Sequence, residues 1–383
     1  MTVLFTHEIH ASKIDGLYYN KAGVIDSNAL KNYLFLCKRG LLISRCIEEN
    51  EKEQGISYLR IDGEGINVVP IKEFSPSSLL KNYITVKNSL KKANSYLVRL
   101  PGMTGTFVGL ILWFYGRPFG VELAGDLKES LNEVYSKPSL AKRLMFNAFA
   151  YLNRFLIKRA TAVGYRSTTL RRLYPNKKRQ NEFVFSGAQI GVMDRGKPQG
   201  IEHYTKKTLK LLYLGRLSPE KGIIYLIEAI SRLKELGKDI YLNVVGDGIQ
   251  LQEVRDIIKE RQLSDVVNLW GKVSEKERIH RIMDESHIYI IPSITEGMPR
   301  SLIEAMSRGM VAIGSETGGI PELLDSEFLF KPKSVESIVD KLVILNNERD
   351  RLPEISKLNL RLSEPHWTEN INQVKSLFWQ KLS

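Results

Sequence analysis

The chain has 383 residues, of which 43% are hydrophobic and 26% charged, a composition typical of a globular protein with two domains of ordinary size. It contains no run of 18 apolar residues and begins without a basic segment and cleavage site, so we expect neither a transmembrane helix nor a signal peptide. Cys37 and Cys46 have neither CxxC nor metal-ligand spacing. Composition therefore argues against a disulfide framework and favours a reduced, cytoplasmic setting.

The positive charge is concentrated in the first half of the chain. Residues 1–200 carry 30 Lys and Arg against 16 Asp and Glu, whereas residues 201–383 carry 26 against 27. Residues 136–181 contain 12 basic residues and no acidic one. No nucleic-acid-binding motif accompanies this basic segment, so we expect an anionic membrane surface as its partner and no nucleic acid. A solvated helix whose apolar face is core remains the alternative.

The first half predicts an α/β domain with irregular spacing of its elements. Strands are predicted at residues 2–5, 41–45, 96–100, 118–123 and 161–165, and helices at 26–38, 140–159 and 167–174. Gly, Pro, Lys and Gln cluster between residues 191 and 207, which predicts a linker there.

The second half alternates strictly between short apolar runs and amphipathic segments. The apolar runs predict strands at residues 209–214, 240–245, 266–270, 287–293, 311–314 and 328–330, with helices at 222–236, 251–262, 274–284 and from Pro299. Such alternation predicts a parallel sheet covered by helices on both faces. The loops at Gly215, Gly246, Gly271 and Glu296 would then share the carboxyl edge of the sheet, where such folds bind ligands.

Two acidic residues lie beside the N-terminus of the predicted helix that begins at Pro299. A first-turn proline loses no helical hydrogen bond, so Glu296 would stand at the helix mouth and Glu304 roughly two turns along it. The amides of a helix N-terminus attract anions, and two carboxylates can hold hydroxyl groups at two depths. Arg216 and Lys221, after the strand at 209–214, can grip phosphate oxygens. This pattern predicts a nucleotide-sugar site.

The ordered motifs of the second half resemble those of retaining glycosyltransferase family 4, whose members have the GT-B fold. The resemblance covers residues 207–324 and rests on Gly215-Arg216, Lys221-Gly222, residues 245–248, Pro292-Ser293, Glu296-Gly297, Glu304 and residues 318–322. Residues 15–19, Gly23, residues 99–101 and Gly125-Asp126 resemble members that build bacterial surface polysaccharides, more loosely. The fold implied is α/β GT-B: two Rossmann-like, doubly wound domains that face each other across a cleft.

The resemblance implies a domain division and a role for each matched residue. It implies an acceptor-side domain at 1–200, a nucleotide-sugar-binding domain at 201–365, and a terminal helix at 366–383 that crosses back to the first domain. Arg216 and Lys221 would neutralise the leaving diphosphate, Glu296 would hold hydroxyls of the transferred sugar, and Glu304 would hold the ribose. The nucleotide-sugar would also contact Gly215, Val273 beside the base, the turn of Gly297, Met298 and Pro299, and the amides of Ser301 and Leu302.

Residues of the first half are assigned with alternatives left open. Gly23 would let backbone approach the diphosphate, although relatives carry a Gly-Gly pair where this chain has Lys21, Ala22 and Gly23. Asp126 would either contact substrate as a catalytic group or cap a helix over residues 128–134. His7 and His10 follow the first strand and are either acceptor contacts or ordinary loop residues.

The function implied is transfer of a sugar, with retention, from a UDP- or GDP-sugar to a glycan or lipid-linked saccharide during cell-surface polysaccharide synthesis. No metal or other cofactor is expected, because Arg216, Lys221 and a helix N-terminus supply the positive field. The enzyme would lie in the cytoplasm on the inner face of the cell membrane. The alternatives are a sugar phosphorylase or nucleotide-sugar-dependent synthase on the same fold, and a non-catalytic membrane-binding protein on a transferase scaffold.

Overall fold

The computed structural model describes residues 1–21, 25–35, 37–53, 56–126, 140–188, 190–205 and 207–382. These residues form two compact units: Met1–Phe185 with Gln373–Ser383, and Ser186–Asn372. Within the described ranges, no helix is long and apolar enough to cross a membrane.

The first unit is built on a mainly parallel sheet. Its strands are β1 (Thr2–Ile14), β2 (Leu17–Asn20), β3 (Arg39–Glu48), β4 (Leu59–Arg60), β5 (Ile66–Ile71), β6 (Ser95–Leu100), β7 (Gly120–Leu123), β8 (Ala162–Tyr165) and β9 (Glu182–Val184). The parallel order is β5-β3-β1-β6-β7-β8-β9, and β2 and β4 extend the far half of β1 in antiparallel fashion. The long β1 therefore belongs to two sheet regions at once.

Helices cover one face of this sheet. They are α2 (Pro76–Leu90), α3 (Met103–Phe114), α4 (Leu140–Arg159) and α5 (Thr168–Leu173), whereas the short α1 (Ser27–Leu30) leads into Tyr33, which stacks on Phe5 on the other face. Val98 and Leu100 of β6 and Val121 and Leu123 of β7 are fully buried in one cluster with apolar side chains of α2, α3 and α4. Burial of each such side chain stabilises the fold by about 1.5–3 kcal/mol. Alternate residues of the same strands point to the opposite face.

The predicted helix over residues 26–38 is wrong for most of its described length. The chain forms only α1 and then a single 3-10 turn, Lys31–Tyr33. The N–H of Lys38 already donates to the carbonyl of Met1 at 3.1 Å, so the backbone must be extended there to begin β3. Pairing of β3 with β1 thus overrides the local helical pattern.

The second unit contains a six-stranded parallel sheet, as the alternating pattern predicts. Its strands are β10 (Leu209–Leu214), β11 (Ile240–Val245), β12 (Val267–Gly271), β13 (Ile288–Ile291), β14 (Val311–Ser315) and β15 (Leu329–Phe330). Their order is β12-β11-β10-β13-β14-β15, so the direction of winding reverses between β10 and β13. Ligands of doubly wound sheets bind at such a switch point, beyond the carboxyl ends of the strands.

The helices of the second half of the chain come before, between and after these strands. They are α6 (Ile201–Tyr204), α7 (Ile223–Glu235), α8 (Leu251–Glu260), α9 (Lys276–Glu285), α10 (Arg300–Ser307), α11 (Val335–Asn347), α12 (Leu352–Ser363) and α13 (Thr368–Gln380). The last of these extends beyond Asn372, and its second half belongs to the first unit.

The second half of α13 packs on the free face of the first sheet. The hydroxyl of Ser95 donates to the carbonyl of Leu382 at 3.2 Å, and Phe378 packs against Phe183 and Phe185. A Cβ at Gly120 would lie 2.6 Å from Leu382. Because Ser95 and Gly120 are small, a helix can lie directly on the strands at this position.

Candidate functional site

The loop after β10 opens the switch point of the second sheet. Arg216 is exposed, and its carbonyl accepts a 2.8 Å hydrogen bond from the buried Tyr213 hydroxyl. An open pocket of about 690 Å³ begins here. Its lining comes from loops at the ends of three adjacent strands, β10, β11 and β12: Leu214, Gly215, Arg216, Val245, Gly246, Asp247, Gly248, Ile249, Lys272 and Val273.

Close approach of two of these loops requires a glycine. Gly246 has a φ of +150°, and a Cβ there would lie 1.8 Å from the carbonyl oxygen of Gly215. The N–H of Gly215 donates to the carbonyl of Val245 at 3.0 Å. The floor of the pocket is therefore backbone, which suits recognition of a flat ring by main-chain groups.

A partly buried ion pair joins the loops on the two sides of the switch point. Nζ of Lys221 lies 2.7 Å from Oε2 of Glu296, and the two side chains are 22% and 12% exposed. The Ser293 hydroxyl donates to the same carboxylate oxygen at 2.8 Å. The N–H of Ile294 also donates to the carbonyl of Glu220 at 2.8 Å. The loop after β10 and the loop after β13 thus form one connected structure.

Two glycines, Gly318 and Gly319, support the turn formed by Gly297, Met298 and Pro299. The N–H of Gly319 donates to the carbonyl of Gly297 at 2.8 Å. Gly318 has a φ of +55°, and a Cβ on it would lie 1.6 Å from the carbonyl oxygen of Glu296. Backbone after β14 can therefore support the Glu296 turn only where side chains are absent.

Helix α10 begins directly after this turn. Its first helical hydrogen bond runs from the N–H of Ile303 to the carbonyl of Pro299, at 3.3 Å. The amides of Arg300, Ser301 and Leu302 therefore precede the helical ladder, as expected for an anion-binding helix start. The Ser301 hydroxyl accepts a 2.8 Å bond from Tyr289, whose hydroxyl is also 3.3 Å from the carbonyl of Leu214. The Leu302 side chain is fully buried.

Glu304 lies closer to the helix start than the sequence predicts. Because α10 begins at Arg300, Glu304 is only about one turn along it, not two. Its side chain is exposed at the surface, yet the protein around the carboxyl raises its pKa by desolvation, with Arg300 opposing the shift.

In the first unit, His7 belongs to a charged cluster rather than to a loop. Nε2 of His7 lies 2.9 Å from Nη1 of Arg99, and the same Nη1 donates to the Tyr33 hydroxyl at 2.6 Å. Burial, then Arg99, lowers the pKa of His7 to about 3. His7 is therefore neutral at physiological pH, with Nε2 as the acceptor and the proton on Nδ1.

Glu122 is the carboxylate at the centre of this cluster. Its side chain is 6% exposed, accepts a 2.8 Å bond from Nε of Arg166, and lies 3.7 Å from Nη1 of Arg99. Burial opposes ionisation of Glu122, but Arg166 and Arg99 outweigh it and lower the pKa of the carboxyl to about 2. We call His7, Tyr33, Arg99, Glu122 and Arg166 the Glu122 cluster.

The other first-unit candidates lie elsewhere. Nδ1 of His10 is 3.3 Å from a Glu73 oxygen, and both side chains are about half exposed. Asp126 accepts a 2.8 Å hydrogen bond from the Tyr174 hydroxyl. Gly23 and the helix predicted over residues 128–134 lie outside the described residues.

The structure brings the second-unit candidates to one sheet edge. Gly215, Arg216 and Val273 line the pocket, and Lys221 pairs with Glu296. Tyr289 connects the backbone at Leu214 with Ser301 of α10. Tyr289, Ser293 and Gly318 were not among the predicted site residues. Pro292-Ser293 and the Gly318-Gly319 pair gave a sequence signal, as parts of motifs to which no role was assigned, whereas Tyr289 gave none.

Comparison with known proteins adds the following findings. Residues 198–359 match the family model of glycosyl transferases group 1. Over nearly its whole length the chain is similar to protein CapJ of Staphylococcus aureus, with 26% identity over 379 residues, 94% of this chain and 92% of CapJ. The amylovoran biosynthesis glycosyltransferase AmsK of Erwinia amylovora is 36% identical over 123 residues, which are 30% of each chain.

Among solved structures, HepE of Anabaena, crystallised in complex with UDP, is similar over 100% of both chains. The TM-score is 0.71 at 16% identity. A glycosyltransferase of Rickettsia africae gives a TM-score of 0.69 at 17% identity. Together with the two Rossmann-like sheets, these similarities show that the chain has the α/β GT-B fold.

Substitution of Gly318 by alanine tests the support of the Glu296 turn. The added Cβ would collide with the carbonyl oxygen of Glu296 at a positive φ, so we expect a loss of more than about 1 kcal/mol of stability. The matched control is Gly297→Ala, because a Cβ at Gly297 would meet no heavy atom within 4 Å. Differential scanning fluorimetry should show a lower melting temperature for Gly318→Ala than for Gly297→Ala. Equal melting temperatures would contradict this account of the turn.

The low pKa of His7 predicts loss of stability in acid. The pKa of His7 in the folded chain lies far below its ordinary value of 6.5. Between these two pKa values, the unfolded chain therefore binds a proton at His7 that the folded chain does not bind. The contribution of neutral His7 to the free energy of unfolding is complete above pH 6.5 and is lost as the pH falls toward 3. His7→Gln should therefore flatten the fall in melting temperature between pH 6.5 and 4.5, whereas the control His10→Gln should not. Parallel profiles for the wild type and His7→Gln would overturn the assignment.

Proposed function

We propose, from the premise that residues 198–359 form a group 1 glycosyltransferase domain, that this chain is a retaining family 4 glycosyltransferase of cell-surface polysaccharide synthesis. It moves a sugar from a nucleotide-sugar to a glycan or lipid-linked saccharide. The observation that carries the proposal is the Lys221–Glu296 pair at the switch point, beside the pocket that begins at Arg216. Similarity to CapJ and AmsK supports the polysaccharide context.

The proposed donor is a UDP- or GDP-sugar, and its diphosphate would lie between Arg216, Lys221 and the start of α10. HepE, which shares the fold, was crystallised with UDP and with UDP-glucose, so UDP is the first nucleotide to test. The base would occupy the pocket near Val273, and Glu304 would hold the ribose hydroxyls. The Glu304 side chain is exposed one turn along α10, so its carboxylate is accessible to a ligand at this edge of the sheet.

Glu296 is proposed to orient sugar hydroxyls and not to act as a nucleophile. One of its carboxylate oxygens already accepts hydrogen bonds from Lys221 and Ser293, which hold the carboxylate in place. In the proposed reaction, the acceptor hydroxyl attacks the anomeric carbon on the face from which the diphosphate leaves. The bond from that carbon to the phosphate oxygen breaks, and the departing phosphate oxygen takes the hydroxyl proton, so retention needs no covalent intermediate.

Positive charge at the leaving group would come from the protein itself. Arg216, Lys221 and the amides at the start of α10 would stabilise the diphosphate as it departs, which is why we propose that no metal is required. In the first unit, Asp126, held by Tyr174, is proposed to contact substrate hydroxyls.

Loss of the Glu304 carboxylate tests the donor site. Removal of two hydrogen bonds between a charged group and ribose should weaken UDP binding by about tenfold to a hundredfold. Isothermal titration calorimetry of Glu304→Ala with UDP measures this. The control Glu285→Ala removes an exposed carboxylate at the end of α9 and should bind like the wild type. Unchanged affinity in Glu304→Ala would refute the proposed ribose contact.

We further propose that the outer surface of the first unit docks on anionic membrane. Helices α2, α3 and α4 pack on the same sheet face, and their sequences contain no acidic residue. Large apolar side chains also face solvent on α4, where Leu140, Leu144 and Tyr151 are 62–75% exposed. Their spacing of four and seven residues places them on one stripe. Phe114 at the end of α3 is 73% exposed.

Vesicle binding tests this surface. Arg143 near the start of α4 is exposed, and loss of one cation near anionic lipid is worth about 1 kcal/mol, or about fivefold in affinity. Arg143→Gln and Leu144→Ala should each weaken co-sedimentation with vesicles that contain about 30% phosphatidylglycerol, an anionic lipid. Arg361→Gln and Met193→Ala, which change exposed residues of the second unit, are the controls. Equal binding to neutral and anionic vesicles would contradict the proposal.

A further inference from the structure

The Glu122 cluster lies at the carboxyl ends of the central strands of the first sheet. Arg99 and Glu122 are register partners in the adjacent strands β6 and β7, so their side chains lie on one face. His7 comes from β1 and Arg166 follows β8 directly. The same face carries Ser95 and Gly120, on which the second half of α13 packs.

Packing of α13 brings a further lysine to the cluster. Leu382 and Phe378 lie over the amino ends of β6 and β7, so the preceding turn of α13 reaches toward their carboxyl ends. Lys375 is half-buried there. Burial, then Arg166, lowers the pKa of its ammonium group, and Glu122 opposes the shift. Nζ of Lys375 lies 5.9 Å from the centroid of the Phe185 ring, and it makes no hydrogen bond or ion pair within the described part of the chain.

The charges of this region do not balance. Arg99, Arg166 and Lys375 share the single carboxylate of Glu122, which leaves two positive charges in excess. Glu8, the next carboxylate, is already engaged: it pairs with Arg45 and accepts the N–H groups of Thr104 and Gly105 at the start of α3. If the cluster only stabilised the fold, each half-buried cation would be expected to have an anionic partner.

Donor groups also remain unused. The two guanidinium side chains are 26% and 20% exposed, and the contacts described above employ Nη1 of Arg99 and Nε and Nη2 of Arg166. His7 contributes no charge, but its protonated Nδ1 is buried without an acceptor among the described residues. Unpaired donors beside excess positive charge are the features of an anion site without its anion.

We infer that Arg99, Arg166 and Lys375 bind a phosphate group of the acceptor substrate. This inference rests on the proposed function for the identity of the ligand as an acceptor, whereas the anion site itself rests on the cluster. A phosphomonoester carries nearly two negative charges near neutral pH, which matches the excess of two positive charges. A uronic acid offers one negative charge and is the weaker match. The fork of each arginine can hold two phosphate oxygens.

The test is a calorimetric titration of the full chain with inorganic phosphate, with the nucleotide site blocked by saturating UDP. We expect one phosphate to bind, about tenfold more weakly in Lys375→Gln, because one charge-assisted contact is lost. Lys375→Gln leaves the Glu122 cluster intact. The matched control is Lys381→Gln, which removes an exposed lysine just after α13 and should leave phosphate affinity unchanged. Glucuronate should bind more weakly than phosphate.

A second background separates this inference from the proposed function. In the double variant Arg216→Ala/Lys221→Ala, the second unit has lost its phosphate-binding side chains, so the titration needs no UDP. Phosphate binding that persists in this double variant and is weakened by Lys375→Gln supports the first-unit site, whether or not the wild type binds UDP. Absence of phosphate binding in both backgrounds, or equal affinity in Lys375→Gln and the wild type, overturns the inference. Tighter binding of glucuronate than of phosphate overturns the assignment to phosphate.

Discussion

The ion pair between Lys221 and Glu296 is the contact on which the candidate site depends. It joins the loop after β10 to the loop after β13, the two strands between which the sheet reverses its winding. Ser293 and the backbone contact between Ile294 and Glu220 strengthen the same junction. Because the charges are mostly buried, removal of either partner would leave an unpaired charge and disturb both loops. The pair therefore fixes two side chains at once: Lys221, the cation proposed to contact the diphosphate, and Glu296, the acid proposed to hold the sugar.

Both units use the same physical arrangement, in which parallel strands deliver charged side chains to their carboxyl edge. In the second unit, backbone forms the pocket floor and Arg216 stands at its rim. In the first unit, Arg99, Glu122 and Arg166 form a tighter ionic cluster, to which α13 adds Lys375. One site would thus take the phosphates of a donor and the other a phosphate of an acceptor. The exposed apolar stripe of α4 lies on the first unit as well, which would suit an acceptor carried on lipid.

Much of the second unit could be predicted from sequence because its elements are locally determined. The apolar runs at residues 209–214 and 240–245 match β10 and β11 residue for residue. The long-range contacts could not be predicted: Tyr289 contacts Ser301 and the carbonyl of Leu214, which only the fold brings near, and Gly318 matters because of a carbonyl 22 residues away. In the first unit, α2, α3 and β5 were missed because their polar and apolar residues follow no clear period. The helix predicted from residue 274 starts two residues later, since α9 begins at Lys276 with Glu275 as its N-cap.

The most direct test of the account is a comparison of UDP with uridine as ligands of the full chain. If Arg216 and Lys221 hold the diphosphate, calorimetric titration should give an affinity for UDP at least about a hundredfold higher than for uridine, from two or more charge-assisted contacts. The ratio of the affinity for UDP to the affinity for uridine should be smaller in Lys221→Met than in the wild type. Equal affinities for UDP and uridine, or no binding of UDP, would contradict the proposed role of this sheet edge.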